Sequence, residues 1–403
     1  MRLIHTADWH LCDRLGRIDR TEDLKVRVER VAELCRQYEA DLLLIAGDLF
    51  SEQASVDQMT DALRHMQEVF ASFLQGGGTI VAIAGNHDHE GRIELLRAGM
   101  SLAAPPAAGG RLAAGRLHLL NQPFFGTYTS AAGDTIQLVA IPYPALRHFN
   151  PAPTAYLTRT EEHQMLSQSV TTWLTSLRQQ AEFDPKLPTV LTAHLHVRGS
   201  AVHRLYRLDE SDDIIFEPNV FMNGWTYVAL GHVHKPQTIG GREHVRYAGS
   251  LDRLDFGETH NNHGVVLAEI GPGGLVGTPR VLTLPATPFH DVQLDDPANQ
   301  LATLMDRFSD RDQAIVRATV RPASVGPSRD EVMRALRVTF PRLYELTWEE
   351  RPGDSFNGGP GFAPRGGFAA TVRAYLAEKL GNDPDREALD ALLDSFLAEE
   401  ENS

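Results

Sequence analysis

The sequence predicts an α/β protein of more than one domain, on three observations. Its 403 residues exceed what a single hydrophobic core usually organises. The first half alternates short β-branched runs with longer amphipathic stretches, the signature of a sheet with crossover helices. Aspartate- and histidine-containing motifs follow those runs, where open α/β sheets present ligand groups. With 42% hydrophobic and 23% charged residues the chain can bury cores, so disorder as a whole is excluded. No apolar run approaches the roughly 18 residues of a membrane helix, and the polar start His5-Thr6-Ala7-Asp8 interrupts any secretory signal, so a cytoplasmic location is expected. Two cysteines, Cys12 and Cys35, are too few for a disulfide framework, whereas 17 histidines point to nitrogen and oxygen ligands for any metal.

In chain order, 2–5, 41–45, 79–84, 136–141, 189–193 and 227–230 read as buried strands. Residues 21–38 form an amphipathic helix with apolar positions 24, 28, 31 and 34 and Thr21 as candidate N-cap; 160–180 is similar. The helix over 56–74 carries Met59, Leu63, Met66, Phe70 and Phe73 at alternating steps of four and three. That spacing suits a bundle seam and hence a homodimer face, and equally suits packing on the parent sheet, since two heptads are short. After 227 the pattern turns to strands at 245–248, 265–270 and 276–284 between glycine turns, so the sheet should become antiparallel there.

The expected domains are 1–285, a second unit at 286–350, a linker at 351–367 and a helical hairpin at 368–403. The second unit reads as strands 289–294, 314–320 and 343–348 with helices 297–308 and 328–338, a βαβαβ arrangement. Residues 352–367 hold three prolines and six glycines, a composition that cannot pack. Beyond lie helices at 368–380 and 386–399, whose small apolar face of Val372, Tyr375, Leu389, Leu393 and Phe396 needs a partner. The net charge is 38 − 53 = −15, which excludes a surface basic all over. Charge is uneven: six arginines against Asp330 and Glu331 make 313–343 basic, and the tail from Glu378 has a net charge of −7.

Five short motifs sit at or just after predicted strand ends: Asp8-Trp9-His10, Gly47-Asp48, Gly85-Asn86-His87-Asp88, His194 and Gly231-His232-Val233-His234. Residues two apart in extended backbone point the same way, so Asp8 with His10, and His232 with His234, can meet one ion together. Glycine before Asp48, Asn86 and His232 lets the chain bend sharply. Seven candidate ligands, Asp8, His10, Asp48, Asn86, His194, His232 and His234, exceed the need of one ion and suit two, with Asp48 bridging. Paired cations of that kind serve phosphoester hydrolysis. A lone Asp-x-His is more often structural; five motifs in order on strand ends are not.

These motifs resemble the calcineurin-like metallophosphoesterase superfamily. More narrowly, His5-Thr-Ala-Asp-Trp-His-Leu11, Gly240-Gly-Arg-Glu-His-Val-Arg-Tyr-Ala-Gly-Ser250 and Asp255-Phe-Gly-Glu258 resemble the SbcD family of DNA-repair nucleases, over 1–285 most strongly. The resemblance implies a four-layer sandwich of two mixed sheets flanked by helices, with a small α+β capping domain and a C-terminal helical hairpin. It implies one ion on Asp8, His10, Asp48 and His234 and a second on Asp48, Asn86, His194 and His232, with manganese the family's usual metal. His87 is then the catalytic residue beside the phosphate. Relatives support that histidine from the position three after the bridging aspartate, here Ser51; Glu52 or Asp88 are the substitutes at hand. His196, two residues on, is the alternative to His194.

The implied substrate is DNA, cut as duplex ends, single strands or hairpins, and the implied partner an SbcC-type ATPase bound by the tail hairpin. Arg14, Arg17 and Arg20, after the first motif, are candidates for holding backbone phosphates. A phosphoesterase of the same superfamily acting on nucleotides or small phosphodiesters is the competing expectation; it leaves the cap, linker and tail without a task.

Overall fold

The computed structural model describes residues 1–104, 108–149, 158–201, 213–321 and 326–349. The linker and tail hairpin expected at 351–403 lie outside them. In chain order the first half runs β1 (Arg2–Thr6), α1 (Thr21–Gln37), β2 (Leu42–Ile45), α2 (Val56–Gln75), β3 (Thr79–Ile83), α3 (Glu90–Ala103), β4 (Leu117–Leu120), β5 (Phe124–Thr129), β6 (Thr135–Ile141) and α4 (Arg159–Leu177). The second half adds β7 (Thr189–His194), β8 (Tyr227–Gly231), β9 (Gln237–Ile239), β10 (Arg242–Tyr247), β11 (Gly264–Gly271), β12 (Arg280–Thr283), β13 (Phe289–Leu294), β14 (Ile315–Val320), α5 (Arg329–Thr339) and β15 (Leu343–Trp348).

Two seven-stranded mixed sheets pack face to face. One contains the order β11-β1-β2-β3-β4, parallel from β1 to β4 and antiparallel at β11. The other runs β9-β10-β8-β7-β6-β5, with β10-β8-β7-β6 parallel. The expected turn to antiparallel pairing after 227 therefore holds for β9, β11 and β12 and fails for β10, which joins β8 in parallel. Alternation along the strands divides the core: Leu3, Leu42 and Leu44 face β6, β7 and β8 through Leu138, Val190 and Ala229. Ile4, Leu43 and Ile45 face outward against α1 and α2, where Val28, Val31, Phe70 and Phe73 cover them. On the far side, Leu166, Val170 and Leu174 of α4 cover Val139, Leu191 and Val228. The result is the four-layer helix–sheet–sheet–helix sandwich that the resemblance implies.

Several expectations are corrected. Met59, Met66, Phe70 and Phe73 of α2 are buried in the chain's own core, so that stripe packs on the parent sheet. The N-cap of α1 is Arg20, with Thr21 the first helical residue, because Asp19 Oδ1 accepts the Thr21 N–H at 2.8 Å. Between β3 and β6 sequence patterning predicts no element, yet α3, β4 and β5 form there. On α3 Ile93 is the one fully buried side chain, too weak a stripe to register. The helix expected at 297–308 is broken at Leu301–Thr303, where Thr303 Oγ1 donates to Gln300 O at 2.9 Å and competes with the helical pattern.

The segment from β13 to β15 forms a separate three-stranded parallel sheet, with Val292, Leu294, Val316, Val332, Leu336 and Phe340 as its core. It touches the sandwich near the first motif. Arg342 Nη1 donates to Asp23 Oδ1 at 3.1 Å, and Tyr344 stacks on Phe256 with ring centres 5.7 Å apart.

Candidate metal centre

The motif residues converge at the C-terminal ends of five parallel strands. Asp8 and His10 follow β1, Asp48 follows β2, Asn86 and His87 follow β3, His194 ends β7, and His232 and His234 follow β8. Asp8, His10, Asp48 and His234 each offer one donor atom, and these atoms all lie within 4.8 Å of one another. Across Asp48, its Oδ2 is 3.3 Å from His194 Nε2. Asn86 Oδ1 lies 2.9 Å from His194 Nε2 and 3.0 Å from His232 Nδ1. All seven candidate ligands are thus brought together in two groups that share Asp48. Carboxylate, imidazole and amide donors in this arrangement fit two divalent cations.

The glycines before the ligands act chiefly by allowing close approach. A Cβ on Gly85 would lie 2.0 Å from Asp48 Oδ1, one on Gly47 1.9 Å from His194 Nδ1, and one on Gly231 1.8 Å from Ala46 O. Gly47 alone of the three also needs positive φ, at +96°. The ligands themselves are strained: Asp8 (φ 52°), His10 (44°), Asp48 (52°) and His232 (93°) occupy backbone conformations that side chains rarely adopt, a cost concentrated where the chain must aim donors inward.

A layer of buried carboxylates and carbonyls fixes the imidazoles. His234 Nδ1 donates to Glu258 Oε1 at 3.0 Å, and Glu258 in turn accepts from Ser250 Oγ at 2.8 Å. His232 Nε2 and His196 Nδ1 both donate to Asp213 Oδ2 at 2.9 Å. His194 Nδ1 donates to Ala46 O at 2.8 Å. Such bonds set the tautomer and ring orientation of a ligand. His196 is therefore held away from the shared carboxylate while His194 faces it. Sequence reasoning missed Asp213 altogether; it stands in the acidic run 209–213, with nothing to distinguish it from its neighbours. Asp88 does not support His87: its carboxylate accepts the N–H groups of Leu49, Phe50 and Gly85 at 2.9–3.1 Å and clamps the second loop to the third.

Charge follows from burial and proximity. Burial pushes Asp8 up to about 6. Burial also opposes ionisation of Asp48, but His194, His10 and His87 around it hold its carboxyl well below the usual range. His194 and His234 lose ground to burial yet are raised to about 9 by Asp48 and Asp8, and by Glu258 for His234. His10 and His232 are lowered by burial. His87 lies at the rim with 17% of its side chain exposed; its N–H donates to Asp48 Oδ1 at 2.9 Å and its Nδ1 is 3.8 Å from Glu52 Oε2. Ser51 turns away, donating to Asp13 Oδ1 at 3.1 Å.

Residues 1–236, more than half of the chain, match the model of the family described as calcineurin-like phosphoesterase. The chain belongs to that family. This phosphoesterase is also similar along most of its length to proteins named as the D subunit of nuclease SbcCD. That of Rhodobacter capsulatus is 28% identical over 349 residues, 84% of this chain and 81% of the other. That of Escherichia coli K12 is 29% identical over 75% and 73% of the two chains, and that of Bacillus subtilis 25% over 68% and 67%.

The three arginines separate. Arg14 and Arg17 are exposed on the small hairpin of Arg14–Leu15 and Ile18–Asp19. Arg20 is fully buried: it donates to Arg253 O, and its Nη2 donates to Asp252 Oδ2 at 3.2 Å and Thr287 Oγ1 at 3.3 Å. It cannot reach a DNA phosphate, and its charge is used inside the phosphoesterase to tie the first motif's loop to the chain leading into β13. Burial raises the Cys12 thiol to about 11. Among the described residues no helix is long and apolar enough to cross a membrane.

Proposed function

We propose that this phosphoesterase is an SbcD-like DNA nuclease, using two manganese ions to cut phosphodiesters as a 3′–5′ exonuclease on duplex ends and an endonuclease on single strands and hairpins. Its working partner is an SbcC-type ATPase, engaged by the segment 368–403. The observation that carries this reading is the pair of donor groups sharing Asp48 in a chain similar to the D subunit of nuclease SbcCD over up to 84% of its length.

Two divalent cations bound there supply Lewis-acid polarisation of phosphoryl oxygens and a water of lowered pKa. Asp8, His10, Asp48 and His234 would hold one, and Asp48, Asn86, His194 and His232 the other. Glu258 and Asp213 keep His234 and His232 in the tautomers that turn their other, unprotonated ring nitrogens toward the centre. His87, fixed through its backbone to Asp48 and flanked by Glu52, hydrogen-bonds the phosphate and protonates the departing oxygen. Arg14 and Arg17 take backbone phosphates at the mouth of the site.

The test is incubation of the full chain with manganese, alone and with an SbcC-type ATPase, on linear duplex DNA and on bis-p-nitrophenyl phosphate. The expected result is hydrolysis of both. Hydrolysis of the small diester with no cleavage of DNA in either preparation overturns the nuclease reading in favour of a nucleotide or small-diester phosphoesterase.

A further inference from the structure

Beside the metal centre a cavity of about 510 Å³ opens from Asn86 and His87 toward the segment 142–148. That size falls within the range of small-molecule sites. The Tyr143 ring forms the wall nearest the metal ligands, its centre 5.8 Å from that of His232 and 6.3 Å from that of His194. Its backbone N–H donates to Ala84 O at 2.8 Å, which pins the ring beside the third motif. Pro142 and Pro144 add rigid apolar surface.

Two further lining groups retain hydrogen-bonding capacity. Asn121 is buried, with 7% of its surface exposed; its amide nitrogen donates to Glu94 Oε2 at 2.8 Å, which leaves its amide oxygen to serve as an acceptor. His148 is similarly enclosed, with 9% of its side chain exposed, and its buried Nδ1 is unpartnered among the described residues. The charges present do not suit a phosphate: Glu52, Asp88 and Glu90 line the cavity, and its one guanidinium, Arg147, is already paired with Glu90. A flat, neutral group with a polar edge suits it.

We propose that this cavity is a nucleobase subsite. The base adjoining the phosphate under attack leaves the stack and lies on Tyr143, with its polar edge toward Asn121 and His148. The proposal rests on the nuclease reading and adds to it a group that holds the terminal nucleotide by its base. Asn121 Oδ1 and His148 Nδ1 both offer acceptors, the latter because His148 Nε2 faces Glu90 Oε1 at 3.7 Å, and every base carries an N–H donor, so the site accepts every base, as an enzyme acting along any sequence requires. Stacking one base on an aromatic ring gives about ten-fold or more in affinity.

The experiment compares binding of 2′-deoxyadenosine 5′-monophosphate and 2-deoxyribose 5-phosphate to the full chain in manganese, by calorimetry, for wild type, Tyr143→Phe and Tyr143→Ala, with duplex cleavage measured on the same preparations. Wild type and Tyr143→Phe should bind the nucleotide about ten-fold more tightly than the sugar phosphate. Tyr143→Ala should bring the nucleotide down to the level of the sugar phosphate, whose own affinity stays put. Equal affinity of the two ligands in wild type, or an equal loss of both in Tyr143→Ala, overturns the subsite even where duplex cleavage is intact. Preference for the nucleotide in a chain that cuts duplex neither alone nor with an SbcC-type ATPase keeps the subsite and removes the nuclease reading.

Discussion

Asp48 shows how a single side chain is given two tasks. Its Oδ2 faces His10 at 3.5 Å and His194 at 3.3 Å, while Oδ1 accepts the His87 N–H at 2.9 Å. The carboxylate thus places both donor groups and the residue assigned to leaving-group protonation. Replacing His87 by Ala should lower cleavage at least about 100-fold while manganese content, read by elemental analysis, remains that of wild type; unaltered cleavage would remove His87 from the chemistry. Glu258→Gln should weaken manganese binding about 10- to 100-fold in a titration, because the neutral amide can turn either its oxygen or its NH2 to His234 Nδ1 and no longer fixes the tautomer as the carboxylate does. Proton linkage has a definite sign. His194 and His234 are raised to about 9 from an ordinary value of 6.5, and a cation needs them neutral. Binding therefore displaces protons throughout that window, and manganese affinity should climb as pH goes from 6.5 to 9. Equal affinity at both ends would contradict the assignment of these imidazoles. The seven candidate ligands were legible because each closes a short motif on a strand end. Asp213 was not, because the contact that gives it meaning is with His232, 19 residues on, and only the fold creates it.

At the scale of elements, strand ends and glycines do the positioning. Gly85→Ala would put a Cβ 2.0 Å from Asp48 Oδ1 and should abolish manganese binding without unfolding the sandwich, as read by circular dichroism beside a metal titration. The sequence predicted the main strands of both sheets because their β-branched runs are buried on two faces. It read α2 ambiguously because a stripe of alternating three and four residues serves an interhelix seam and a sheet surface alike. Phe70, fully buried against Trp9 and Phe73, decides the matter in favour of the sheet. Phe70→Ala should cost about 3–5 kcal/mol of unfolding free energy in a denaturant titration. A loss below about 1 kcal/mol would mean that the stripe is not the core it is taken to be. Arg20 is the opposite case: three arginines at steps of three look alike in sequence, and only burial separates the one inside from the two outside.

For the whole molecule, a net charge of −15 and the proposed polyanionic substrate are compatible because the positive groups are local. Arg14 and Arg17 stand on a hairpin that Tyr344 of the three-stranded unit approaches: a Cβ on Gly16 would be 3.1 Å from that ring. The same unit reaches the turn bearing Glu258 through the stacked Phe256. Neutralising Arg14 and Arg17 together should reduce the slope of log affinity against log salt for duplex binding by about 0.9 for each phosphate that is no longer neutralised. An unaltered slope would place the DNA elsewhere.

The most direct measurement is a crystal structure of the full chain grown with manganese, using anomalous scattering to locate the ions. The expected result is two manganese ions with the Asp48 carboxylate between them, one also bound by Asp8, His10 and His234 and the other by Asn86, His194 and His232. A single ion, or two ions that do not share Asp48, would contradict the account.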